Sequence, residues 1–217
     1  MHFVDAWTSL EPLELALLLG GPAIAIVALL LPGRAIARVL ALGMAACLAL
    51  VPGFDPPLLR AAWVALWLGV AAVSGARRDE PPHGRASRAA GVESGAIALL
   101  LGGVLLALVL VALGREDLPA EVTRPAAIGF TLVAAGVAHL MLRRDALRGA
   151  FAFAVAGCGL QWLDHAARLV VIDAAALPEA TLLLATALAV ALAVRLAWVR
   201  QRDAGSAWVT HAHDLHD

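Results

Sequence analysis

Apolar residues fill this chain in long blocks, and its polar residues are gathered into short connections between them. Seven blocks are long enough, or nearly so, to cross a hydrocarbon layer, which takes about 20 apolar residues in a helix. They cover about 13–31, 36–51, 58–74, 95–114, 125–142, 150–172 and 178–198. The breaks carry turn chemistry: PGR ends the first block and PGFDPP the second. Inside the first, Gly20, Gly21 and Pro22 predict a bend. The third carries Trp63 and Trp67 at i,i+4, and the fourth is almost purely aliphatic, able to face lipid all round. Pro125 stands where a fifth helix would start. The pattern predicts an all-α integral membrane bundle of about seven helices, a single membrane domain over 1–217. Residues 10–114 form a four-helix part, 125–198 a three-helix part and 199–217 a polar tail. The longest polar interval is 75–94.

Composition sharpens the class. The chain is 62% hydrophobic with a mean hydropathy of +0.86, against about 45–50% apolar residues in soluble domains. A soluble fold of this length would need a polar surface that these residues do not contain. All 16 basic residues are Arg, a bias expected of a GC-rich bacterial genome and hence of a bacterial inner membrane. The net charge of −1 gives no sign of a nucleic-acid partner. Cys47 and Cys158 lie in apolar runs and read as packing residues. The N-terminal stretch is acidic and lacks the basic region of a cleavable leader, so the first span is expected to be retained.

The arginines alternate. Arg34, Arg38, Arg77, Arg78, Arg85, Arg88, Arg143, Arg144, Arg148, Arg195, Arg200 and Arg202 fall in every second connection or the tail. Only Arg60, Arg115, Arg124 and Arg168 fall on the other side, among most of the acidic residues. Positive charge is retained in the cytoplasm, so the N-terminus is expected outside and the C-terminus inside.

Candidate chemistry is concentrated in the sixth span. Gln161, Asp164, His165 and Arg168 stand at i, i+3, i+4 and i+7 and share one helical face. Polar groups inside a span are costly and normally face a bundle interior or a water-filled path. With the orientation above, Gln161 lies roughly 16 Å into the layer and Arg168 near its outer boundary. Two readings stand. The four could form a proton or water path, in which Asp164 and His165 exchange protons and Gln161 orients water. Alternatively, Asp164 and Arg168 form an intrahelical ion pair of structural importance. His139, a turn before Arg143, reads either as an interfacial packing residue or as a point of proton uptake. Arg195 and Trp198 read as interfacial anchors. His211, His213, Asp214 and His216 in the tail match no standard metal site. There is no Gly-rich phosphate loop, nucleophile elbow or Cys cluster, so no cofactor and no catalysis by this chain alone are expected.

The fifth to seventh blocks carry a familiar arrangement, GVAHLMLRRDALRGAFAFAVAGCGLQWLDHA, in which an apolar helix ends in a basic turn of the form RR[ND]xLR and a Gly-rich apolar helix follows at once. It resembles the three-helix K subunit of respiratory complex I and the C subunit of multisubunit cation/proton antiporters. The whole chain is more similar to the longer hydrogenase-4 component E, which has extra N-terminal helices and a tail after an [AV]R-x-x-W ending, here Val194, Arg195 and Trp198. Arg144, Asp145, Leu147, Arg148 and Phe151 fall on the family's turn and helix start, and Gly159 on the Gly of its Glu-Asn-Gly. The departures are as telling. The family's buried proton-path glutamate falls on Gly157 and the next Asn on Cys158. The acidic residue of its last helix falls near Thr181 or Leu182, with Glu179 the closest carboxylate. The resemblance implies a small membrane subunit of a complex I-related, ion-translocating assembly, partnered by antiporter-like subunits, with its proton path either relocated to Asp164 and His165 or lost. A self-sufficient small transporter is the alternative, and it would be expected to show internal repeats or paired broken helices.

Overall fold

A computed structural model describes residues 7–31, 34–51, 56–75, 118–142, 146–170 and 179–204, with five single positions between 100 and 111. The described residues are helical, with no strand among them. Six helices are defined: α1 (Pro12–Leu30), α2 (Arg34–Leu50), α3 (Pro57–Gly75), α4 (Ala120–Leu142), α5 (Ala146–Val170) and α6 (Glu179–Ala204). Their limits lie within a few residues of the apolar blocks, except that α6 runs six residues beyond its block and α4 starts five residues early. The fourth block lies outside the described residues apart from Leu100, Gly103, Val104, Ala107 and Val111, each helical and exposed. The turn residues Arg143, Arg144 and Asp145 and the His-bearing tail also lie outside them.

Four helices, α1, α3, α4 and α6, are long and apolar enough to cross a membrane. α2 has only 17 residues. α5 is longer, at 25 residues, but less apolar, because Gln161, Asp164, His165 and Arg168 occupy its last three turns.

Local chemistry sets the helix ends. Pro12 begins α1 where its missing N–H costs nothing, Glu14 lies in the first turn against the positive end of the dipole, and the Leu31 N–H closes the last turn on the Val27 carbonyl at 3.1 Å. α1 continues as a helix through Gly20, Gly21 and Pro22. One expectation needs correcting: Pro125 does not start α4. α4 begins at Ala120, because the Pro119 carbonyl accepts from the Val122 and Thr123 N–H groups and from Thr123 Oγ1. Pro125 falls in the second turn and is buried. Hydroxyls deeper in the helices are satisfied within their own helix. Ser74, Thr131 and Thr186 each donate to the carbonyl four residues back, at 2.7–2.8 Å.

The centre of the bundle is the α4–α5 pair, which share the most extensive contact. Small residues make it possible. A Cβ added at Gly129 would lie 2.7 Å from Leu163 Cγ and 2.8 Å from the Gly159 carbonyl oxygen. One at Gly136 would lie 2.7 Å from Ala156 Cβ, and one at Gly159 would lie 2.7 Å from the Gly129 carbonyl oxygen. The two backbones therefore touch over three turns, the packing mode of helices that lack a hydrophobic force between them in lipid. α6 packs on the next face of α5, α3 on a third, and α1 on α4. One apolar core runs through all six helices, from Leu18 to Val190, with Trp63 and Trp67 fully buried in it.

Contacts fix the helix directions. Gly20 lies against Cys47 and Gly43 against Ile24, so α1 and α2 are antiparallel. Val73, Leu147 and Ala197 cluster, bringing together the end of α3, the start of α5 and the end of α6. Arg148 Nη2 donates to the Leu31 carbonyl at 3.0 Å, and Arg124 Nη2 to Ser9 Oγ at 2.8 Å, so α1 and α4 run parallel. α1, α3, α4 and α6 thus share one direction and α2 and α5 the other.

Substituting Gly136→Ala or Gly129→Ala should force α4 and α5 apart at a cost of about 1–3 kcal/mol. Gly69→Ala, where an added Cβ meets nothing within 4 Å, should leave stability equal or slightly higher. Thermal unfolding of the full chain in mild detergent checks the contrast, and equal midpoints for all three would refute close α4–α5 packing.

Candidate functional site

Three of the four polar residues on α5 lie at one end of the bundle. Arg168 Nε donates to Asp164 Oδ2 at 2.7 Å, an i,i+4 ion pair with the two side chains 29% and 22% exposed. His165 is half-buried and meets the edge of Trp162, ring centres 6.4 Å apart. Gln161, one turn earlier, is 4% exposed, and its Oε1 accepts no hydrogen bond. A buried acceptor left in this state costs on the order of 1–3 kcal/mol. Asp164 is thus already engaged by a guanidinium at the edge of the bundle, while Gln161 is the member of the set that points inward.

His139 belongs elsewhere. It is 2% exposed, three residues before the end of α4. Its ring leans on Phe151, centres 5.5 Å apart at 58°, and Phe151 meets Trp67 edge-on at 5.3 Å. Sequence distance from Arg143 measures depth along the helix but not which face looks inward, so this packing partner was not legible. Gln161 is ten residues beyond Phe151 on α5, roughly 15 Å along the axis. The intervening buried positions are Ala152, Ala154, Val155, Gly157, Cys158 and Gly159, none of which carries a proton-relaying carboxylate or imidazole. The structure therefore brings Gln161, Asp164, His165 and Arg168 together and leaves His139 apart.

Two cavities among the described residues leave that gap unbridged. One of about 10 Å³, the lower limit for a single water, is lined by His139, Arg148, Phe151 and residues of α1 and α2. Another of about 20 Å³ is apolar, among Gly21, Met44, Leu132, Cys158 and Trp162. Gln161, Asp164 and His165 line neither. Among the described residues no three His, Cys, Asp or Glu side chains are placed to hold a metal ion.

The most informative residue is one the sequence reading passed over. Thr186 of α6 lies directly on Gly157; a Cβ added there would overlap its Oγ1 and Cγ2. Thr186 Oγ1 in turn donates to the Leu182 carbonyl at 2.7 Å. Position 157 is therefore covered by the neighbouring helix: its glycine is a contact residue, and a larger side chain there would have to displace Thr186. The small-residue spacing Ala150, Ala154, Gly157 was the signal that α5 meets another helix closely there.

Gly157→Ala should destabilise the chain by about 1–3 kcal/mol, and adding Thr186→Ala should recover most of that loss. Additive losses in a double-mutant cycle on the thermal midpoint would contradict the contact.

No protein-family model matches the chain, and no curated protein and no solved structure matches it either.

Proposed function

We propose that this chain is a multi-pass membrane scaffold, a small structural subunit of a complex I-related, ion-translocating assembly of the hydrogenase-4 or antiporter type in a bacterial inner membrane. The observation that carries the scaffold role is Thr186 seated on Gly157, the position where the resembling subunits relay protons through a carboxylate; a larger side chain there would have to displace Thr186. The Asp164–Arg168 pair supports the same reading, because at 2.7 Å the carboxylate is engaged in an ion pair within its own helix at the edge of the bundle. So does the stretch of about 15 Å between Phe151 and Gln161, whose inward-facing residues include no such carboxylate or imidazole. The assignment to a complex I-related assembly rests on the resemblance of the α4–α5 turn and the α6 ending.

Helix directions support seven spans. α3 and α4 run parallel, and between them lies the aliphatic block 95–114, long enough to serve as an intervening span. The described ends differ in charge. Arg34, Arg38, Arg148, Arg195, Arg200 and Arg202 belong to the end where α3, α4 and α6 finish. Arg60, Arg124 and Arg168 belong to the other, with Glu11, Glu14, Glu121 and Asp164. That asymmetry supports a cytoplasmic C-terminus.

Two measurements test the proposal. A reporter fused after Trp198 should be cytoplasmic and one inserted in 115–124 periplasmic; the reverse at either point removes the orientation. Asp164→Asn, in vesicles reconstituted with the complex, should leave proton transport per assembled complex unchanged and reduce assembly. The reduction should be modest, because a partly exposed pair is worth about 1 kcal/mol or less. Abolished transport in a fully assembled complex would sink the scaffold role and restore Asp164 as the relocated carrier.

A further inference from the structure

The end of α6 carries a second arrangement, independent of the polar face of α5. α6 is the least buried of the membrane-length helices. Leu184, Leu188 and Leu192 are all more than half exposed and follow one another at i+4. Arg195, Trp198, Val199 and Arg202 continue the same face, since offsets of 7, 11 and 18 residues return a helix to nearly the same bearing. Arg195 and Arg202 are exposed, Trp198 is 51% exposed, and with Val199 and Gln201 these residues line a notch open to the outside. No Asp or Glu occurs between Ala180 and Arg202, and the nearest carboxylate in sequence is Asp203.

We propose that the Arg195–Trp198–Arg202 notch binds the phosphate of an anionic phospholipid, whose acyl chains lie along the Leu184–Leu188–Leu192 stripe. Charge complementarity selects the occupant. Two guanidiniums seven residues apart, roughly 10 Å along the axis, can close on a phosphate from both sides. The indole between them has the amphipathic character suited to the headgroup level. The continuous apolar face leading to the notch distinguishes a lipid from a free anion, which would use the guanidiniums and gain nothing from the leucines. The negative end of the helix dipole opposes an anion here, which is why one arginine would not suffice and a pair is required. The inference rests on the membrane location proposed above but not on membership of any larger complex.

The test uses the full chain purified in mild detergent, titrated with phosphatidylglycerol or with phosphatidylcholine of the same acyl chains, and lipid retention read by native mass spectrometry. Phosphatidylglycerol should be retained in preference. Retention should weaken about fivefold in Arg195→Gln or Arg202→Gln and about 25-fold in the double variant, as expected for two cationic contacts at a lipid surface. The Arg195→Lys, Arg202→Lys double variant should keep most of the preference, and Arg38→Gln, at an exposed arginine of α2, should not change it. Equal retention of the two lipids, or an unchanged preference in the double Gln variant, would overturn the proposal. Displacement of the lipid by equimolar inorganic phosphate would also overturn it, assigning the notch to a small anion. A chain absent from the membrane fraction of cells would count against the membrane location itself, a result separate from any of these.

Discussion

The direct contact of two helix backbones, α4 against α5, is the constraint on which the remaining structure depends. Gly129, Gly136 and Gly159 leave no side chain between the helices, so carbonyl oxygens and amide nitrogens of one sit against the other. In a lipid setting, where apolar side chains gain nothing by leaving the solvent, close approach and dispersion must hold helices together. The pair then offers two outward faces. α1 packs on α4, α3 and α6 on α5, and the aromatic group Trp67, Phe151 and His139 fills the wedge where they converge.

This arrangement decides what the polar residues can do. α5 meets a helix on three sides, and only the part of its polar face near Asp164 and Arg168 reaches the edge of the bundle. There the ion pair is partly exposed and inexpensive, whereas Gln161, one turn deeper, holds a buried acceptor with nothing donating to it. The chemistry along α5 is graded by depth, from a partly exposed ion pair, through a buried amide oxygen, to the close contact of Gly157 with Thr186.

Much of the fold was legible because helices in such a chain are bounded by a few unmistakable signals. Proline, glycine and arginine clusters mark the connections, and the i,i+4 spacing of Asp164 and Arg168 sufficed to expect their pair. What escaped depends on which face each helix turns inward. A helix that is apolar all round carries no amphipathic record of its orientation, so nothing in the sequence said that His139 would be enclosed against Phe151. Thr186 on Gly157 is a contact between residues 29 positions apart, set by the relative height of two helices. Pro125 misled because its local preference for a first turn was outweighed by Pro119 and Thr123, which start α4 earlier.

Two hydrogen bonds flank α1. Ser9, before its first turn, is held by Arg124, and Leu31, after its last, is held by Arg148. Arg124 belongs to α4 and Arg148 to α5, whose backbones are locked together. Sliding α1 along its axis by a single turn, about 5.4 Å, would break both bonds at once, so together they set its height against the α4–α5 pair.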